Sequence, residues 1–263
     1  MGRSRLSLRD YLGQTLAVAE AEVRKLRHDP IELLTRAIQP LLWLLIFGQV
    51  MNRLHAIPTG GVSYEDFLAP GILAQSVVFI AIFYGLSAIW ERDSGVLAKY
   101  LVSPAPRWAL VVGKALGSGV RSLSQAVVIF VLAVLLGVHL RFEPAAIIGL
   151  LVFTLLGSAV FATFSLVIAC LVKTRERFMG VGQLLTMPLF FASNAIYPVA
   201  LMPSWLAAIA RLNPLTYLVD ALRALMLVGW QSTLGLGTDL AVLSIVLAVL
   251  VAVAARLYPI ILG

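Results

Sequence analysis

Long apolar runs separated by short polar islands set the pattern of this chain. About 20 apolar residues cross the hydrocarbon core of a bilayer as a helix. Six windows reach that scale: 33–50, 67–89, 110–138, 145–172, 179–197 and 240–257. The third is long, and its first half is polar. Between the fifth and sixth lies a stretch, 198–238, that is apolar but broken by Pro203, Asn213-Pro214 and Gly229. The pattern predicts an all-α integral membrane protein with six transmembrane helices.

The first thirty residues differ from the rest. Leu8, Tyr11, Leu12, Leu16, Ala19, Val23 and Leu26 follow a helical stripe, while Arg9, Asp10, Glu20, Glu22, Arg24, Lys25 and Arg27 lie mostly off it. Ser7 with Asp10 suits a capping box, and Asp29-Pro30 ends the helix. Residues 1–30 are therefore expected to form an amphipathic helix along the inner membrane surface, preceding a transmembrane domain over 31–263. Charges interrupt each apolar run here, which does not suit a signal peptide.

Composition sharpens the class. The chain has 263 residues, 60% hydrophobic and 13% charged, with mean hydropathy +0.96. Soluble domains carry about a quarter charged residues, so this chain lacks the polar surface to cover a globule in water. A net charge of +7 suits cytoplasmic loops and anionic lipid better than nucleic acid. The single Cys170 rules out an intramolecular disulfide, and His28, His55 and His139 are scattered, so no metal site is expected.

Lys and Arg place the loops. Arg3, Arg5, Arg9, Arg24, Lys25, Arg27 and Arg36 crowd the N-terminal segment. Arg92, Lys99 and Arg107 follow the second window, and Lys173, Arg175 and Arg177 the fourth. The intervening connections hold only Arg53, Arg141, Arg211 and Arg223. The positive-inside rule puts both termini in the cytoplasm and requires an even number of spans. A multi-pass protein of the bacterial cytoplasmic (inner) membrane is expected.

Several chemistries have no signature. There is no G-x-x-x-x-G-K-[ST], since Gly113-Lys114 is followed by Ala115. No G-x-S-x-G, H-E-x-x-H or cysteine ligand pair occurs. The 13 acidic residues fall in predicted loops or at helix ends. Ion-coupled transporters usually hold an ionisable group at depth, and no inverted repeat is visible, so a secondary transporter is disfavoured. Without an energy source of its own, the chain needs a partner, or is a passive channel, a scaffold or an enzyme.

The island ERDSGVLAKYLVSPAPR, residues 91–107, offers a place for that partner. Val96, Leu97, Tyr100 and Leu101 share a helical face; Arg92, Lys99 and Ser103 fall elsewhere, and Pro104 and Pro106 stop the helix. Its acidic start suits the helix macrodipole. Such a helix either lies on lipid or docks a cytoplasmic protein. The pattern E-R-D-S-G-x-L-x-x-x-L-x-S-P-x-P-R, followed by G-K, resembles the cytoplasmic loop of ABC-2 type exporter permeases, in the daunorubicin-resistance branch. Tyr64-Glu65-Asp66-Phe67-Leu68-Ala69-Pro70-Gly71 and Leu212-Asn213-Pro214-Leu215-Thr216-Tyr217-Leu218-Val219-Asp220-Ala221-Leu222-Arg223 resemble two further stretches of that family, in the same order.

The resemblance implies that this chain holds no cofactor and no catalytic residue, with ATP and Mg bound on a separate cytoplasmic ATP-binding subunit. That subunit would receive a coupling helix, with Glu91, Arg92, Gly95, Leu97, Lys99, Tyr100 and Ser103 as candidate contacts. A second permease chain, identical or homologous, would face this one across the substrate path. Ser118, Arg121 and Gln125 share a face with Lys114 and Ser122. They are candidates for that path or for the bundle interior, unless this half of the helix projects into the cytoplasm. Gly149, Gly157, Ser158 and Ala159 suit close helix packing.

The broken stretch needs structure of its own. Met202-Pro203-Ser204-Trp205 can start a short helix that ends near Asn213, and Pro214 suits the first turn of another. Asp220 and Arg223, at i and i+3, can pair. Irregular backbone at membrane depth survives only under protein cover. A pair of short re-entrant helices is expected, with Asn213, Pro214, Tyr217, Asp220 and Arg223 forming an external gate. The expected function is the permease subunit of an ATP-driven exporter for an amphipathic drug, antibiotic or lipid-like substrate. Export of a lipid-linked glycan or glycolipid is the alternative, and an integral-membrane lipid-modifying enzyme is the rival of another class.

Overall fold

The computed structural model of the protein describes residues 38–55, 57–94, 107–172 and 174–257. A helical stretch is under way at residue 38, is π-wound over Trp43–Gly48 and continues as α1 (Gln49–Leu54). Then follow α2 (Tyr64–Tyr84), α3 (Leu86–Asp93), α4 (Arg107–Leu135), α5 (Pro144–Leu171) and α6 (Arg175–Phe191). After a 3₁₀ turn come α7 (Ser204–Leu212), α8 (Pro214–Met226) and α9 (Leu236–Leu257). The N-terminal helix expected over 1–30 lies outside the described residues, as does part of the first window.

Four helices among the described residues are long and apolar enough to cross a membrane: Tyr64–Asp93, Leu110–Leu135, Pro144–Leu171 and Leu236–Leu257. They correspond to the second, third, fourth and sixth windows. The fifth window, 179–197, is shorter as a helix than as an apolar run: α6 has 17 residues and stops at Phe191. Pro188 lies in its last turn, and Ser193 folds back on the Phe190 carbonyl instead of extending the helix.

The second window is not one smooth helix. Gly85 separates α2 from α3, and a methyl group there would collide with the Ser165 hydroxyl of α5. That hydroxyl donates to the Ile82 carbonyl, one of the acceptors at the break. The Gly85 N–H also bonds Ile82, at 3.2 Å, so the chain tightens by one residue before α3 begins. Glycine is required by the closeness of α5.

α5 is the hub, touching α2, α3, α4, α6, α8 and α9. Gly149 and Gly157 lie where the Leu225 and Leu218 side chains of α8 press in. The close-packing role expected for these glycines is what the fold uses. The main apolar core joins α2, α4, α5, α8 and α9, with Phe67, Phe161 and Phe190 fully buried. A smaller core at the other end gathers Ile89, Val111, Leu166, Phe178 and Ala254. The outward faces remain apolar: Ile245 and Val249 of α9 and Val127 and Val131 of α4 are exposed. In water such faces would be a liability; against lipid tails they are not.

Candidate functional site

Two polar regions mark opposite ends of the bundle. At the first, α3 ends in Glu91, Arg92 and Asp93, directly before residues 95–106. Lys114 of α4 donates to both Glu91 carboxylate oxygens at 2.7 Å. Arg175, at the start of α6, reaches Asp93 Oδ2 at 2.8 Å, and Arg92 reaches Oδ1 at 2.9 Å. The Arg175 guanidinium also sits 3.8 Å from the Trp90 ring centre. The end of α3 is thus tied to α4 and α6 by charge, in a partly exposed setting. Glu91 and Arg92 lie there, whereas Gly95, Leu97, Lys99, Tyr100 and Ser103 fall outside the described residues.

Midway along the bundle, the polar face of α4 divides. Ser118 and Ser122 are fully buried and bond the Ser158 hydroxyl of α5 at 3.0 and 2.9 Å. Arg121 and Gln125 instead line a cavity of about 300 Å³ with Gln39, Gln75, Phe79 and Tyr84. Arg121 lies two helical turns, about 10 Å, inward from Lys114, with its guanidinium 5.5 Å from the Tyr84 ring centre. Arg121 thus faces a space between neighbouring helices.

The other end is built from buried polar groups. Asn213 joins two helices: its Oδ1 accepts the Leu215 N–H and caps α8. Its Nδ2 donates at 2.7 Å to the Leu189 and Ala192 carbonyls at the end of α6. Helix ends leave such carbonyls without intrahelical partners, so one side chain serves two termini. Pro214 occupies the first turn of α8, as expected. Tyr217 donates to the Arg211 carbonyl at 2.8 Å, holding α7 against α8.

Asp220 and Arg223 share a face of α8, but each spends its hydrogen bonds elsewhere, which corrects the expected pairing. Arg223 is 2% exposed. It donates to the Phe67 carbonyl of α2 at 3.1 Å and to the Asn194 carbonyl at 2.9 Å, with its guanidinium 3.7 Å from the Phe67 ring centre. Asp220 accepts from Ser232, Thr233 and the Leu234 N–H. The long guanidinium stem reaches across to α2, while the short carboxylate meets the loop running into α9.

Sequence reasoning missed two partners here. Asp66 is buried and holds His139, whose backbone N–H and Nδ1 lie 3.0 and 3.1 Å from its two oxygens. Asp239, fully buried, shares the Ser232 hydroxyl with Asp220. Asp66 had a readable signal, since Ser63 three residues earlier caps α2 through the Asp66 N–H. Residues 139–141 also pair with 226–228 through backbone hydrogen bonds, joining the loop after α4 to the loop after α8. Only the folded chain brings those segments together.

A helical bundle with four such spans and apolar outer faces is a multi-pass membrane protein. The chain matches the ABC-2 type transporter family over residues 13–227 and belongs to it, as a transport permease. It is similar to the transport permease ycf38 of Cyanophora paradoxa, 34% identical over 76% of this chain and 70% of that protein. The daunorubicin resistance ABC transporter permease protein DrrB1 of Streptomyces coeruleorubidus is 28% identical, again over 76% and 70%. Nodulation protein J of Rhizobium leguminosarum bv. trifolii is 28% identical over 74% of each chain. The matched residues include the 91–107 island and the 64–71 and 212–223 stretches on which the resemblance was drawn.

Proposed function

We infer that this permease is the transmembrane subunit of an ATP-driven exporter in the cytoplasmic membrane, with six spans and both termini in the cytoplasm. ATP and Mg bind a separate cytoplasmic subunit, which grips the coupling helix within residues 91–103; a second permease chain completes the path. One observation carries this reading. The chain enters and leaves residues 95–106 at a single end of the bundle, where Glu91 before them is clamped to Lys114 after them, and Asp93 to Arg175 of α6. A segment held at its root by ion pairs to two helices can pass a push from a docked protein into α4 and α6.

The substrate in this reading is an amphipathic drug, antibiotic or lipid-like molecule, supported by the named daunorubicin resistance relative. A lipid-linked glycan or glycolipid is the second reading, favoured by the Asn194, Asp220 and Arg223 side chains in the largely apolar lining of the cavity beside α8. Ser118 and Ser122 serve helix packing, which leaves Arg121 and Gln125 as the path-facing pair of α4. α7 and α8 form the external gate, with Asn213, Pro214, Tyr217, Asp220 and Arg223 as its frame.

The test is co-expression with the ATP-binding subunit and measurement of co-purification and ATP-dependent export. Glu91→Ala and Gly95→Pro are expected to weaken subunit binding or uncouple ATP hydrolysis from export. Full binding and full export in both variants would sink the coupling assignment.

A further inference from the structure

The loop between α8 and α9 is tied down by one hydroxyl with more partners than it has hydrogens. Ser232 Oγ lies 2.7 Å from Asp220 Oδ2 of α8 and 3.1 Å from Asp239 Oδ2 in the first turn of α9. It also accepts the Gly235 N–H at 2.6 Å. A hydroxyl has a single hydrogen and two acceptor lone pairs. With both carboxylates ionised, that hydrogen serves one of them, and the other meets an oxygen with no proton between. With Asp239 as a carboxylic acid, every contact is supplied. Asp239 Oδ2–H donates to Ser232, Ser232 donates to Asp220, and Gly235 fills the second lone pair.

Two further observations call for the same proton. Asp239 is fully buried and its Oδ1 has no hydrogen-bond partner. An unpaired carbonyl oxygen costs far less there than an unpaired carboxylate oxygen. The buried ionisable groups of α8 and α9 that sit together are Asp220, Arg223 and Asp239, two acids and one cation. A proton on Asp239 leaves the set neutral.

Among the described residues, no cation pairs with Asp239 in its place. α9 packs on α4, α5 and α8. α5 carries no charged side chain, and Arg107, Lys114 and Arg121 of α4 reach no further along it than its midpoint. On α8 the titratable groups are Tyr217, Asp220 and Arg223, and on α9 Arg256 lies in the last turn. In the loop that pairs with 226–228, His139 is held by Asp66 and Arg141 by Glu143. Arg211 of α7 lines the adjacent cavity.

We propose that Asp239 is a proton-binding site that locks the α8–α9 loop beside the cavity, and that loss of the proton releases the loop. The lock rests on the reading of α7 and α8 as an external gate. Without the proton, two carboxylates face one hydroxyl hydrogen and repel each other. Thr233, Leu234 and Gly235 are exposed, so water reaches the loop, and Trp230, Thr233 and Leu234 line the cavity. The closed loop binds one proton more than the open loop. Closure is therefore firm in acid and weakens as pH rises.

The test uses the full chain in phosphatidylcholine nanodiscs. Acid-minus-alkaline infrared difference spectra are expected to show the C=O stretch of a buried carboxylic acid, and Asp239→Asn is expected to remove it. Asparagine keeps the shape and a donor toward Ser232, and it cannot ionise. Amide exchange over residues 232–235, divided by the intrinsic rate at each pH, then reads the lock. In the wild type it is expected to rise about tenfold per pH unit as the proton leaves, the slope of a one-proton linkage. In Asp239→Asn it is expected to stay flat.

The wild-type band and slope stand as the test even if the variant fails to fold. No acid band in the wild type, a band that persists in Asp239→Asn, or wild-type exchange that ignores pH overturns the inference. ATP-dependent export by the assembled complex is measured in parallel. Its absence would overturn the permease reading while the proton site stood.

Discussion

The two polar ends of this bundle are held by opposite means. At the α3 end, Glu91, Asp93, Lys114 and Arg175 are joined by partly exposed ion pairs over a small apolar core. At the α8 end, Asn213 and Arg223 are buried and bind backbone carbonyls. Ion pairs in contact with water contribute little, roughly 0–1 kcal/mol, and can exchange partners. A buried donor has no such freedom, because the acceptor it leaves stays unpaired. One end is suited to being pulled and the other to keeping its shape.

The contrast can be broken at its firmest point first. Arg223→Met should lower the stability of the purified permease by about 2–5 kcal/mol, since two buried carbonyls lose their donor. A thermal melt in detergent that stayed at the wild-type temperature would remove Arg223 from the framework. Gly71→Val is expected to cost about 1–3 kcal/mol in the same melt. Its side chain would be driven into the Ala195 backbone, and little in that contact can yield.

Asn213→Ala should cost about 1–2 kcal/mol by uncapping α8 and freeing two α6 carbonyls. Its amide exchange should rise at both helix ends; a rise at only one would show that the shared cap is not shared. The smallest stability effect is expected from Asp93→Asn at the other end, because an exposed ion pair adds little to the fold. That variant should melt like the wild type yet reduce partner ATPase stimulation. A large fall in melting temperature with intact stimulation would invert the comparison.

Much of this architecture could be read from residue order alone. Apolar length marked the four spans, and Pro203, Asn213 and Pro214 marked two short helices where α7 and α8 stand. These are local properties: a proline or a run of valines acts on its own few residues. What the sequence hid was long-range. Nothing near Arg223 in sequence announces that its donors reach Phe67, 156 positions away. The i, i+3 spacing suggested Asp220 instead, because spacing knows only the helix it lies on. His139 and Asp66, 73 positions apart, were hidden for the same reason. The cavity beside α8 draws on five separate stretches of chain, so no single motif could describe it.

Asn213 can also be considered as a matter of spelling. Its position demands a side chain that accepts one hydrogen bond and donates two, on a stem short enough to reach both helix ends. Aspartate keeps the acceptor and loses both donors, serine keeps the cap but lacks the second arm, and glutamine places the same amide one methylene too far out. Among the twenty letters only one satisfies every clause at once. The junction between α6 and α8 is therefore written in a single character with no synonym.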